Sequence, residues 1–215
     1  MQPKIQRLVL LALPPVLIAT TFVAFRVFVG LLGQKTGYVC GFAVYWFGWC
    51  LAVPVLVLGR AGLKAVLRGS PSPLGHPAWI GAVCLGVPLC LGYGYAFPRA
   101  VSGASPLAIL VSAAVAVVNG PLEELLWRGT YLAVFRKSRL LGYVYPAIAF
   151  ALWHLSPLSV FPSRMPGGNS AFVMVSGILG LLWGWAALRT GSIEGTSAAH
   201  ALFDFAGLGG RIYFS

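Results

Sequence analysis

Acidic residues are nearly absent from this 215-residue chain: Asp and Glu together number four, against fifteen Lys and Arg, and charged residues of both signs make up 9%. A soluble domain typically carries about 25% charged residues. With 59% hydrophobic residues and a mean hydropathy of +0.86, the composition excludes an ordinary soluble domain and points to an integral membrane protein. Cysteine is sparse too. Cys40, Cys50, Cys84 and Cys90 all lie in apolar stretches with no Cys-x-x-Cys pair and no nearby His, so they are read as reduced small hydrophobes rather than a zinc or redox site. A continuous basic patch is also missing. The net charge of +11 is spread between the apolar segments, a pattern of membrane topology, and nucleic acid is not an expected partner; the lipid bilayer is. The chain holds no internal repeat, no low-complexity segment and no soluble domain, so 1–215 is expected to be a single integral membrane domain.

The apolar runs divide into about seven expected spans (six to eight), each near the ~20 residues a helix needs to cross: residues 8–32, 38–58, 78–97, 106–128, 142–158, 171–188 and 192–208. The fold class expected is all-α, a polytopic helix bundle with its active site inside. The first run is longer than a signal-peptide core and shows no convincing small-residue cleavage site, so it is expected to remain as a helix. Arg26 within it is expected to snorkel or to pair inside the bundle. In the loop 59–77, Arg60, Lys64 and Arg68 recur every fourth residue opposite Leu63, Val66 and Leu67. That short amphipathic pattern suits an anionic leaflet or a solvated turn. Ser176, Gly180 and Gly184 form a small-residue face for close helix packing. Basic residues in alternate loops count nine (Lys4, Arg7, Arg60, Lys64, Arg68, Arg136, Lys137, Arg139, Arg189) against four (Lys35, Arg99, Arg164, Arg211). The imbalance places the expected amino terminus in the cytoplasm of a multi-pass cell-membrane protein.

Against that apolar background a few polar side chains stand out. An ionised group near the middle of a membrane helix costs at least ~2.5–3.5 kcal/mol on insertion scales, so such residues pair or work. Glu123, Glu124 and Arg128 fall at the end of the fourth run, His154 in the fifth, His200 and Asp204 in the last. Glu124 and Arg128 are one helical turn apart and can pair, leaving Glu123 about 100° round the helix. Phe150 and His154 share a face, as do His200 and Asp204. A Glu and a His in a low-dielectric pocket can hold a water and take its proton, and a second His can donate to the oxyanion that forms. No Ser or Cys occupies a recognisable nucleophile motif. The residues suggest direct attack of water on an amide.

Glu-Glu-x-x-x-Arg at 123–128, Phe-x-x-x-His at 150–154 and His-x-x-x-Asp at 200–204, in this order on successive apolar segments, resemble the CPBP family of intramembrane glutamic endopeptidases, which includes the type II CAAX prenyl proteases and bacterial relatives. The resemblance covers about 106–208. It implies an intramembrane endopeptidase acting on a membrane-associated or lipid-anchored protein or peptide, with no cofactor and no metal. It implies that Glu123 and His154 activate the water, that Glu124 and Arg128 support them, and that His200 with residue 204 forms the oxyanion hole; the shared face of Phe150 and His154 separately lets that ring stack below the imidazole. The last position is more usually Asn in the family; Asp204 must be protonated, or turned to orient His200.

Two other readings remain open on the residues alone. Glu123, His154 and His200 make a credible zinc shell for a metalloprotease, and intramembrane Glu and His also build proton relays in transporters, or persist in a non-catalytic adaptor. The hydrolase reading carries a geometric demand. If the fourth helix stopped near Arg128 and the fifth began near Gly142, Glu123 and His154 would differ in depth by ~10–15 Å at 1.5 Å per residue. The fourth helix is therefore expected to run to about residue 136 and the fifth to shift or bend near Pro146. Glu123, His154 and His200 would then meet within roughly 3–6 Å, in a cavity open to the cytoplasmic side.

Overall fold

A computed structural model describes residues 2–209, all of whose regular structure is helical; Arg211, counted above for orientation, lies outside them. Helix α1 (Pro3–Leu32) starts with Pro at its first turn, where a missing N–H costs nothing, and closes on Gly33 (φ 78°), whose N–H donates to the Val29 carbonyl. Its buried residues, Leu10, Leu13, Pro14, Leu17, Thr21 and Phe25, recur every three or four positions and make one inward face. Leu8, Leu11, Val16, Val23 and Val27 point outward and are exposed. Outward faces this apolar suit lipid, not water. Arg26 is also on the outside, its guanidinium over the Phe22 ring at 5.5 Å. Of the two fates expected for it, pairing inside the bundle does not fit this exposed position.

Helix α2 (Gln34–Val66) returns against α1, with a π-helical stretch at Val44–Leu51. It breaks at Gly59 (φ 63°, ψ −179°), a backbone conformation that only glycine adopts without strain. The turn beyond the break is the expected amphipathic segment. Arg60 and Lys64 are exposed, while Val66 is buried against Leu125, Ala187 and Ile193, with Leu63 packed on the same cluster. Helix α3 (Ala78–Val101) precedes α4 (Pro106–Val134). The start of α4 is set by Pro106 at the first turn and by Ser105, whose Oγ accepts from the Ala108 N–H at 3.1 Å. A π-helical stretch, Leu125–Thr130, carries α4 past Arg128 to Val134, close to the continuation expected.

The next segment, α5 (140–153), opens with a π-helical turn, Leu140–Val144, directly before Pro146, where a bend was expected. It ends at His154, and a single turn, α6 (Leu155–Leu158), follows. Helix α7 (Gly168–Thr190) lies along α5. Its small-residue face does the packing expected of it: Ser176, Gly180 and Gly184 are buried, and a Cβ at Gly180 would sit 3.3 Å from Ala147. Helix α8 (Glu194–Ala206) runs along α4.

Five of these helices, α1, α2, α3, α4 and α7, are long and apolar enough to cross a membrane. The other two segments expected to span, 142–158 and 192–208, are helical but shorter. Thirteen residues of α8 rise only ~20 Å, less than the ~30 Å of hydrocarbon. Both pack against long helices, α5 on α7 and α8 on α4, and both bear site residues.

Candidate active site

The acid pair is brought to α8 by close helix packing. Gly120 lies one turn before Glu124, and a Cβ there would come within 2.7 Å of the Ala201 nitrogen. Glycine allows α4 and α8 to touch backbone to backbone, which puts the residues following Gly120 beside His200. The two elements then share one polar cluster. Glu123, Glu124, Arg128 and His200 are 1%, 0%, 2% and 3% exposed.

Glu124 Oε1 pairs with Arg128 Nη1 at 2.9 Å across one helical turn, as the spacing predicts, and also lies 2.9 Å from His200 Nδ1. The Arg128 guanidinium sits over the Phe150 ring at 4.3 Å and near the Trp183 ring at 5.9 Å, so aromatic faces replace the solvent it has lost. On the other edge of His200, Nε2 is 3.3 Å from Glu123 Oε2 and 3.6 Å from Asp204 Oδ1. Trp183 covers the imidazole face, with centroids 4.4 Å apart. The ring is therefore gripped firmly at Nδ1 and only loosely at Nε2, because 3.3–3.6 Å is beyond a good N–H···O distance. Glu123 Oε1 is buried with no hydrogen-bond partner among the described residues.

His154 stands beside this cluster but is not joined to it by a polar contact among the described residues. Its Nδ1 lies 2.8 Å from the Phe150 carbonyl. A carbonyl can only accept, so Nδ1 carries a proton, and Nε2 is the nitrogen that presents a lone pair when the ring is neutral. Phe150 is the common wall. Its ring meets His154 edge-on at 4.7 Å and His200 at 6.1 Å. The expectation that three polar groups converge in one cavity holds only for the approach of Glu123 and His200; His154 lies across the Phe150 ring. A cavity of about 370 Å³ opens past Gly129, walled by Val66, Leu132, Arg136, Ala187 and Ile193. It reaches the motif helix one residue beyond Arg128 and is not lined by Glu123, His154 or His200.

Three residues of the site were not singled out from the sequence. Asn119 donates from Nδ2 to Asp204 Oδ2 at 2.8 Å and accepts from Trp46 Nε1 at 2.7 Å. Tyr45, fully buried, accepts from Trp127 Nε1 at 2.8 Å and stacks on Trp153 at 3.7 Å. Asn119 was findable: it is a polar residue in an apolar run, four positions before Glu123 and on the same helical face. Tyr45 and Trp46 were not, since aromatics in a membrane helix read as interface anchors or packing rings.

Glu123, Glu124, Arg128, His200 and Asp204 thus form one polar cluster inside an apolar helix bundle. Residues 105–206, which hold all three motifs, match the family described as type II CAAX prenyl endopeptidase Rce1-like. Over that segment the chain is similar to a family of membrane endopeptidases. No curated protein and no solved structure matches the chain.

Proposed function

We propose that the chain is a glutamate-type intramembrane endopeptidase that hydrolyses a peptide bond in a membrane-associated or lipid-anchored protein or peptide. Prenylated membrane proteins are the substrate class the family suggests. The observation that carries this reading is Glu123: buried, with one oxygen 3.3 Å from His200 Nε2 and the other without a hydrogen bond among the described residues. In the neutral tautomer held by the Phe150 carbonyl, His154 offers a lone pair that orients the water. Glu123 takes the water's proton, and the hydroxide adds to the scissile carbonyl carbon. The carbonyl oxygen becomes an oxyanion, and His200, in the doubly protonated form with Nδ1–H on Glu124, turns its Nε2–H to it. Nε2 suits that role because it is the loosely held edge of a ring whose other edge is fixed by Glu124. The C–N bond then breaks, and Glu123 returns its proton to the leaving amine. Glu124, with Arg128, keeps His200 in place, and Asp204 faces the same Nε2 from the far side.

We also infer that the amino terminus is cytoplasmic, on the excess of basic residues in alternate loops. The test of the hydrolase reading is Glu123→Gln in proteoliposomes carrying a prenylated peptide. Cleavage should be lost while folded yield is unchanged; turnover at the wild-type rate would overturn it.

A further inference from the structure

Helix α2 lies outside the segment that matches the family, yet it reaches the site. Its π-helical stretch, Val44–Leu51, alters the helical register locally, as such stretches often do at functional sites. Two consecutive residues, Tyr45 and Trp46, thereby both engage α4: Tyr45 through Trp127, and Trp46 through Asn119.

The polarity of the second contact is unambiguous. An indole N–H can only donate, so the oxygen of Asn119 must face Trp46 and its NH₂ must face Asp204; the flipped amide would set donor against donor. Asn119 therefore holds Asp204 Oδ2 at 2.8 Å, while Asp204 Oδ1 is left 3.6 Å from His200 Nε2. Of these two contacts only the first is short enough to orient a carboxyl. The Asp204 side chain is 26% exposed, so without the amide it is free to swing outward. What keeps it facing His200 is Asn119, and what keeps Asn119 turned that way is Trp46.

We propose that Trp46 and Asn119 are positioning residues of the hydrolytic site, fixing the Asp204 carboxyl against His200 across three helices. The role rests on the hydrolase reading for its consequence in rate, but the chain of contacts does not.

The reciprocal exchange tests it. Asn119→Asp sets two carboxyls against each other; adding Asp204→Asn restores an amide-to-carboxyl hydrogen bond in the reverse sense, and Trp46 can still donate to residue 119. With a prenylated peptide in proteoliposomes, Asn119→Asp should lower kcat about tenfold or more with KM within about twofold, the exchanged pair should recover most of that loss, and Trp46→Phe should fall in between. Nitrogen-15 spectra of histidine-labelled protein supply a readout independent of turnover: the His200 ring signals should move in Asn119→Asp and return in the exchanged pair. Wild-type kcat in Asn119→Asp, or an exchanged pair no better than the single variant in both rate and spectrum, overturns the proposal. Should the wild type cleave nothing while the His200 signals respond as stated, the hydrolase reading fails and the positioning stands.

Discussion

Replacing Arg128 by Ala probes how the buried charges of the site are held. Arg128 is 2% exposed and its ion-pair partner Glu124 is 0% exposed, so neither charge can fall back on solvent when the other is removed. Breaking one side of such a pair typically costs ~3–5 kcal/mol, because the remaining charge is uncompensated. Loss of the guanidinium from over the Phe150 ring at 4.3 Å adds up to ~2 kcal/mol for a desolvated cation–π contact. Against the ~5–15 kcal/mol that typically separates folded from unfolded protein, Arg128→Ala should sharply lower the folded yield in detergent and depress the melting temperature. A control separates lost charge balance from lost packing. Glu124→Gln with Arg128→Met removes both charges and keeps the volume, and should be clearly more stable than Arg128→Ala alone. The measurement is thermal unfolding of the three proteins in one detergent, with monodispersity checked by size exclusion. If Arg128→Ala unfolds within ~1 kcal/mol of wild type, or the double variant is the less stable, the ion pair does not carry the burial of these groups and the reasoning fails.

Gly120→Ala should push α4 from α8, since its Cβ would lie 2.7 Å from the Ala201 backbone nitrogen; peptide cleavage should fall by about a hundredfold, the cost of an ~1 Å misplacement at a reacting centre, and wild-type rates would refute the close-approach argument. Tyr45→Phe strands the Trp127 indole N–H, which donates to the Tyr45 hydroxyl at 2.8 Å, and should destabilise by ~1–3 kcal/mol in thermal unfolding. For orientation, a peptide tag inserted after Lys137 should be reached by antibody only after cells are permeabilised, and one after Gly103 in intact cells; the reverse pattern would overturn a cytoplasmic amino terminus.

What the residues alone determined is what local geometry and solvent chemistry control. Apolar runs with four acids in 215 residues can be solvated only by lipid, so the membrane bundle was legible. The Glu124–Arg128 pair was legible because one helical turn brings positions i and i+4 together whatever else the chain does. The small-residue face at Ser176, Gly180 and Gly184 was legible for the same reason. The tertiary structure decided everything that depends on register between distant helices. That His200, and not His154, takes the direct contact with Glu123 follows from Gly120 letting α8 lie on α4, a relation between residues about eighty positions apart in the chain. That two site-bearing segments form shorter helices than their apolar runs reflects what packs against them, which hydropathy does not encode. Tyr45 and Trp46 join the site only because a π-helical stretch re-aims them. A turn of that kind is stabilised by the helices packed around it, and single-sequence spacing carries no trace of it.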